Sequence, residues 1–114
     1  MIARKHRFHG YGSLRYVYQH GQTVRGPIIA MKFATNPKRQ DYRLAVVVSK
    51  KVSKSAVKRN RIRRRLFEAV RLEADGFKEV YDIVLTVFND ELLNLPSTDV
   101  RKMIRAQLKQ GRLL

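Results

Sequence analysis

Apolar side chains in residues 58–71 recur with the period of an α-helix. At 3.6 residues per turn, Ile62, Leu66 and Val70 fall on one side together with Ala69. The opposite side carries polar and charged residues: Asn60, Arg61, Arg64 and Arg71. The pattern therefore predicts a helix that packs one face on a hydrophobic core and presents the other face to an anion.

Three further segments have the composition of β-strands. Residues 28–35 alternate between large apolar side chains and smaller or polar ones such as Lys32. Residues 42–49 are β-branched and apolar almost throughout, which predicts a strand in the centre of a sheet. Residues 81–88 have the same buried character. The basic helix is therefore expected to connect two buried strands.

The two ends of the chain are expected to add one helix each. Ser13 is a suitable N-cap for a short helix that ends near Gly21, and Ser97 is a suitable cap for a last helix that Gly111 closes. Residues 1–10 have no period and predict a flexible basic arm. Three residues share one face of the first helix: Leu14, Val17 and Tyr18. Residues 1–114 are expected to form a single domain.

The positive charge is unevenly distributed. Residues 1–67 hold 18 of the 25 basic residues and one acid, Asp41, for a net charge of +17, whereas residues 68–114 hold 7 basic and 8 acidic residues, for a net charge of −1. Like charges at Arg59/Arg63 and at Arg61/Arg65 destabilise an isolated helix by roughly 0.2–0.5 kcal/mol per pair. Guanidinium groups fit phosphate oxygens bidentately, so the basic helix favours a nucleic-acid partner over a merely solvated surface.

Several classes of protein do not fit this composition. No apolar stretch approaches the roughly 20 residues needed to span a bilayer, and a signal-peptide core is absent. The chain has no cysteine, which is compatible with the reducing cytoplasm where we expect it. His6 and His9 lack carboxylate partners nearby, and no catalytic constellation appears, so neither a metal site nor a catalytic residue is predicted.

Aromatic residues are interleaved with cations near the N-terminus. The aromatic residues are Phe8, Tyr11, Tyr16 and Tyr18, and the cations are Arg4, Lys5, Arg7 and Arg15. Aromatic rings beside cations are typical of surfaces that stack unpaired bases. The alternative for Tyr16 and Tyr18 is an ordinary position in the core of a small helix.

These residues together resemble the protein component of bacterial ribonuclease P. The resemblance rests on the run Arg59-Asn60-Arg61-Ile62-Arg63-Arg64, on Val48-Ser49-Lys50-Lys51-Val52 before it, and on Val17-Tyr18-Gln19-His20-Gly21. It implies an α+β fold, an α/β sandwich with a mixed four-stranded sheet and a left-handed βαβ crossover, although right-handed crossovers are the rule. This arrangement is also known from a domain of a ribosomal protein.

The resemblance also implies a function and a set of sites. One protein would bind one ribonuclease P RNA, and the complex would remove the 5′ leader of precursor tRNA. Catalysis would be carried by the RNA, which would hold most of the Mg²⁺, with no metal bound by the protein alone. The residues implied for binding the catalytic RNA are Lys50, Lys51, Lys58, Arg59, Asn60, Arg61, Arg63 and Arg64. Those implied for the leader are Leu14, Tyr18 and Lys32.

Some positions depart from the family pattern, and two other functions stay open. Leu14 and Lys32 stand where the family often has aromatic residues, and Phe67 stands where a basic residue is common, so Phe67 could stack on a base or pack on a neighbouring element. A ribosomal or other structural RNA-binding protein is the main alternative. A helix-turn-helix DNA-binding protein is disfavoured by the three strand segments.

Overall fold

The computed structural model describes residues 4–8 and 11–114, which form a four-stranded sheet and three α-helices. The helices are α1 (Tyr11–His20), α2 (Ala56–Glu73) and α3 (Ser97–Gln110). The strands are β1 (Gln22–Arg25), β2 (Ile29–Thr35), β3 (Arg43–Val47) and β4 (Tyr81–Val87). Short 3-10 helices lie at Arg4–His6, Ala74–Gly76 and Glu91–Asn94.

The sheet is mixed, with the strand order β1-β2-β4-β3. β3 and β4 are parallel, and the other two pairs are antiparallel. Because α2 connects the two parallel strands, the chain contains a βαβ unit. The predicted α+β fold with a mixed four-stranded sheet is confirmed, while the handedness of the crossover stays a prediction.

Helices cover both faces of the sheet, as expected for a sandwich. On one face, α2 and α3 enclose the main core, in which Ile62 and Leu66 are fully buried. On the other face, Val17 of α1 is buried in a smaller cluster with Phe8 and Val84. The alternation seen in β2 divides its side chains between these two layers. None of the described helices is long and apolar enough to cross a membrane.

Polar contacts hold the start and the middle of α2 in place. The Ser55 hydroxyl caps the helix by accepting a hydrogen bond from the backbone N–H of Lys58 at 3.2 Å. Farther along, the guanidinium of Arg65 donates to the carbonyl oxygens of Leu92 and Leu95 at 2.6 and 2.5 Å. Arg65 therefore ties the helix to the segment before α3.

A buried ion pair links β3 to β4. Arg43 and Asp82 are direct partners in the parallel register. The guanidinium donates to both carboxylate oxygens, at 2.8 and 2.7 Å, and each side chain is only 6% exposed. Asn36 Nδ2 donates to the same carboxylate at 2.9 Å, and the Arg43 guanidinium lies 4.5 Å from the Phe8 ring centroid. The carboxylate is thus fully used within the fold.

The prediction that β3 is central is wrong, since it lies at the edge of the sheet. Its apolar composition has a different cause: Leu44 and Val46 pack in the main core, Ala45 packs on the smaller cluster on the other face, and the N-terminal segment shields the free edge. Arg7 forms a parallel bridge with Leu44, and the Phe8 N–H donates to the Leu44 carbonyl at 3.2 Å. Within the predicted arm, residues 4–8 therefore pack on the sheet.

Other local predictions also need correction. α1 begins at Tyr11, before the predicted cap Ser13. α3 begins at Ser97 itself, with Pro96 in the cap position and no side-chain cap. β1 has no strong pattern of its own, because only Val24 in this four-residue strand is buried. The ends of β2, α2, β4 and α3 lie within a few residues of their predicted positions.

Candidate nucleic-acid interface

The exposed face of α2 carries cations whose charges are not neutralised within the fold. Burial of Ile62 and Leu66 turns Arg61 and Arg64 outward, and both are exposed. Neither guanidinium forms a hydrogen bond or an ion pair with residues 4–8 or 11–114. Lys58 and Asn60 are exposed on the preceding turn. The helix thus presents exposed guanidinium donors of the kind that suit an anion.

The other arginines implied for RNA binding are partly used by the fold. Arg59 donates to the Ser53 carbonyl at 2.8 Å, and Arg63 donates to Asn60 Oδ1 at 2.9 Å. These contacts orient the two guanidinium groups while leaving further donors available. The candidate residues of α2 therefore lie in one segment of the helix. They differ in how many of their hydrogen-bond donors are already used within the fold.

Arg71 does not join this charged surface as its helical position predicted. Its guanidinium donates to both carboxylate oxygens of Glu68, at 3.0 and 2.5 Å. This hydrogen bond lowers the pKa of Glu68 and raises the pKa of Arg71. The acid thus neutralises the basic face near the end of α2, so the unpaired cations are confined to its first half.

A groove of about 470 Å³ lies between α2 and α3 beside the unpaired arginines. Ala69, Leu72 and Val100 contribute apolar lining, while Arg61 and Arg64 stand at its charged side. The groove therefore combines an apolar surface with unpaired guanidinium groups.

Lys50 and Lys51 extend the basic surface away from α2. Both are exposed in a tight turn closed by a hydrogen bond from the Val52 N–H to the Ser49 carbonyl at 3.1 Å. This turn follows β3 and leads to the start of α2.

Phe67 packs on a neighbouring element of the fold. Its side chain is partly buried against the main core.

A second candidate surface lies between α1 and the opposite face of the sheet. The Lys32 ammonium donates to the Tyr18 carbonyl at 3.0 Å and lies 5.7 Å from the Tyr18 ring centroid. Tyr18 is 44% exposed, so the alternative that it is a core residue is wrong. Leu14 is partly buried against the cluster that contains Val17. Tyr18 and Lys32 are thus in contact, and Leu14 lies one helical turn before Tyr18 on α1; we call this surface the α1 cleft.

Tyr16 and Phe8 do not belong to the α1 cleft. Tyr16 is 54% exposed and packs against His20, with ring centroids 4.8 Å apart. Phe8 is buried under Arg43 and is unavailable to a base. The side chain of Tyr11 lies outside the described part of the structure, and so does His9, which was considered with His6 as a metal ligand.

Acidic and histidine side chains are dispersed over the described residues. No group of three or more His, Cys, Asp or Glu side chains among residues 4–8 and 11–114 is placed to hold a metal ion. Sequence reasoning missed the role of Arg65 and a contact between Arg25 and Phe88, whose guanidinium carbon and ring centroid are 4.8 Å apart. Both depend on residues far apart in the sequence, so periodicity gave no signal.

Comparison with known proteins gives a consistent result. The family model for ribonuclease P matches residues 2–111. The ribonuclease P protein component of Chloroflexus aurantiacus is 37% identical over 113 residues, covering 99% of this chain and 82% of that protein. The corresponding protein of Clostridioides difficile is 43% identical over 72 residues, covering 61% of this chain and 60% of that protein.

Two solved structures have the same fold. The RNase P protein of Staphylococcus aureus superposes with a TM-score of 0.82 at 20% identity, covering 95% of this chain and 96% of that one. The RNase P protein of Thermotoga maritima gives 0.79 at 23% identity, covering 91% and 96%. With the family model matched over nearly the whole sequence, this chain belongs to the ribonuclease P protein family.

Proposed function

We propose that this chain works as the accessory protein subunit of ribonuclease P in the cytoplasm. The α2 surface binds the catalytic RNA, and the α1 cleft binds the 5′ leader of precursor tRNA. The observation that carries the proposal is the pair of unpartnered arginines, Arg61 and Arg64, held outward by a buried helix face. Because α1 and α2 cover opposite faces of one sheet, one protein can contact both RNAs at once.

The protein contributes binding and positioning to the reaction. Lys50, Lys51 and the basic half of α2 supply cations for phosphates of the catalytic RNA. Tyr18 supplies an aromatic face for a leader base, and Lys32 supplies a charge for a nearby phosphate. Mg²⁺ is expected to be held by the RNA, since the described residues do not fit a metal site. No step of the hydrolysis is assigned to a side chain of this protein.

Purified protein that is free of RNA should not cleave precursor tRNA. Addition of ribonuclease P RNA and Mg²⁺ should create an activity that releases the 5′ leader and leaves a mature 5′ end. The measurement is cleavage of end-labelled precursor tRNA by protein, by RNA and by the reconstituted complex. Cleavage by rigorously RNA-free protein would contradict the division of roles, and so would a complex no better than the RNA alone at limiting Mg²⁺.

A structural RNA-binding protein of the ribosome is the alternative function, because such proteins are also small, basic and α+β. Isolation of the chain at moderate salt and identification of the bound RNA separates the two. We expect an RNA that trims precursor tRNA in the presence of Mg²⁺. Recovery of ribosomal RNA alone would favour the alternative.

Replacement of Tyr18 by alanine should weaken binding of leader-bearing tRNA to the reconstituted enzyme by about tenfold. Loss of one base stacked on an aromatic ring costs roughly 1–3 kcal/mol, and 1.4 kcal/mol corresponds to a factor of ten in affinity. The affinity for mature tRNA should be nearly unchanged, because mature tRNA has no leader. Both affinities can be measured by equilibrium binding under conditions that prevent cleavage.

Tyr16→Ala is the matched control for this experiment. Tyr16 lies on the same helix and is at least as exposed, but it contacts His20 rather than Lys32. We expect Tyr16→Ala to bind both tRNAs like the wild type, whereas Lys32→Ala should share the selective defect of Tyr18→Ala. Equal weakening of both tRNAs by Tyr18→Ala, with a lower melting temperature, would reject the α1 cleft as the leader site.

A further inference from the structure

The sheet face under α1 is only partly covered by that helix. Arg25 is the register partner of Ala30, Ala30 of Thr86, and Thr86 of Val47. Cross-strand partners share a face, so these four residues form one row across the sheet. α1 packs on the neighbouring row at Val84, and the first row stays open, with Val47 40% exposed.

Phe88 extends this open row at the end of β4. It lies two residues beyond Thr86, which places it on the same face, and its side chain is 39% exposed. Arg25 reaches across the small side chain of Ala30, and its guanidinium carbon lies 4.8 Å from the Phe88 ring centroid. We call Arg25, Ala30, Val47, Thr86 and Phe88 the shelf. A half-open aromatic ring beside a cation is suited to a stacked base and its phosphate.

The shelf is continuous with the α1 cleft. Lys32 and Ala30 lie two residues apart on one face of β2, so their rows are separated by about 7 Å. Each row carries an aromatic ring beside a cation: Tyr18 with Lys32 in the cleft, and Phe88 with Arg25 on the shelf. Two such pairs in line form a track for single-stranded RNA.

The shelf lies on the side of the cleft that leads towards the start of α2. β3 and β4 are parallel, so their C-terminal ends lie at the same end of the sheet, which is also the end that carries the shelf. After β3, the chain enters the turn with Lys50 and Lys51 and then begins α2 at Ala56. A strand of RNA that passes from the cleft towards the basic surface therefore crosses the shelf.

We infer that the shelf is a second subsite for the 5′ leader, where one base stacks on Phe88 and Arg25 holds an adjacent phosphate. It receives a nucleotide nearer to the cleavage site than the nucleotide bound at Tyr18, because it lies between Tyr18 and the surface assigned to the catalytic RNA. This inference rests on the proposed function. It adds a second binding position for a leader nucleotide and the order of the two bound nucleotides along the leader.

The first test is binding of precursor tRNA to the reconstituted complex with variants of Phe88. Phe88→Ala should weaken binding of leader-bearing tRNA about tenfold and leave the affinity for mature tRNA unchanged. Phe88→Tyr should keep wild-type affinity because it keeps the aromatic face, whereas Phe88→Leu should behave like Phe88→Ala. Arg25→Ala should weaken the same substrate selectively, while Lys102→Ala, which removes an exposed charge on α3, should leave the ratio of the two affinities unchanged.

A second test locates the nucleotide, using precursors that each contain one abasic leader position. When the nucleotide that stacks on Phe88 is abasic, Phe88→Ala should no longer change the affinity, and the same should hold for Tyr18→Ala at its own nucleotide. The Phe88 nucleotide should lie between the cleavage site and the Tyr18 nucleotide. Wild-type affinity of Phe88→Ala, the reverse order of the two positions, or equal loss of both tRNAs with a lower melting temperature would overturn the shelf. A complex that fails to prefer leader-bearing tRNA, even with the wild-type chain, would instead refute the proposed function.

Discussion

Replacement of Arg61 and Arg64 together by alanine should weaken binding of the chain to ribonuclease P RNA by about a hundredfold or more. Hydrogen bonds that involve a charged group contribute about 1.5–3 kcal/mol each, and 1.4 kcal/mol is a factor of ten. Neither arginine has a partner within the described part of the chain, so alanine removes RNA contacts and leaves no internal group unpaired. The fold should therefore survive, and circular dichroism and the melting temperature should match the wild type.

The salt dependence of binding gives an independent measure of the same contacts. Each phosphate contact contributes roughly 0.7–0.9 to the slope of log K against log salt, so the double variant should lose about 1.4–1.8 from that slope. Lys102→Ala/Lys109→Ala removes the same charge from exposed positions of α3 and is the matched control. If the two double variants lost affinity equally, the effect would belong to net charge and not to the α2 surface.

The placement of these arginines was predictable because it depends on local geometry. A helix that buries Ile62 and Leu66 must turn Arg61 and Arg64 outward, whatever the rest of the fold does. The same reasoning applies to β2, where alternation separates Lys32 from the core positions. Side-chain direction follows from the backbone period, so these parts of both candidate surfaces could be found without coordinates.

The remaining features depend on which segments become neighbours. The run of apolar residues in β3 did not reveal that this strand lies at an edge, because Arg7 and Phe8 cover that edge from a distant part of the sequence. The contact between Arg25 and Phe88 requires β1, β2 and β4 to be adjacent and a small residue at Ala30. Such pairings are tertiary information and leave no periodic signal.

The largest effect on stability is expected from Asp82→Asn, which should lower the free energy of unfolding by about 3–5 kcal/mol. Asparagine has nearly the size of aspartate, so packing is kept while the charge is removed. Arg43 then stays buried next to a neutral partner, and the cost of its desolvation is no longer offset. The measurement is equilibrium unfolding in urea, with the slope of the transition checked for a change in mechanism.

Asp41→Asn is the matched control, because the same substitution breaks an exposed ion pair. Lys5 Nζ lies 3.6 Å from Asp41 Oδ1, and the two side chains are 63% and 43% exposed. Solvent screening limits such a pair to about 0–1 kcal/mol. A variant with Arg43→Met and Asp82→Leu should regain much of the lost stability, since it removes both buried charges together. If Asp82→Asn lowered the free energy of unfolding no more than Asp41→Asn does, the buried ion pair would not be what holds the parallel strands β3 and β4 together. The stability of the βαβ unit would then have to come from the apolar core around α2 alone.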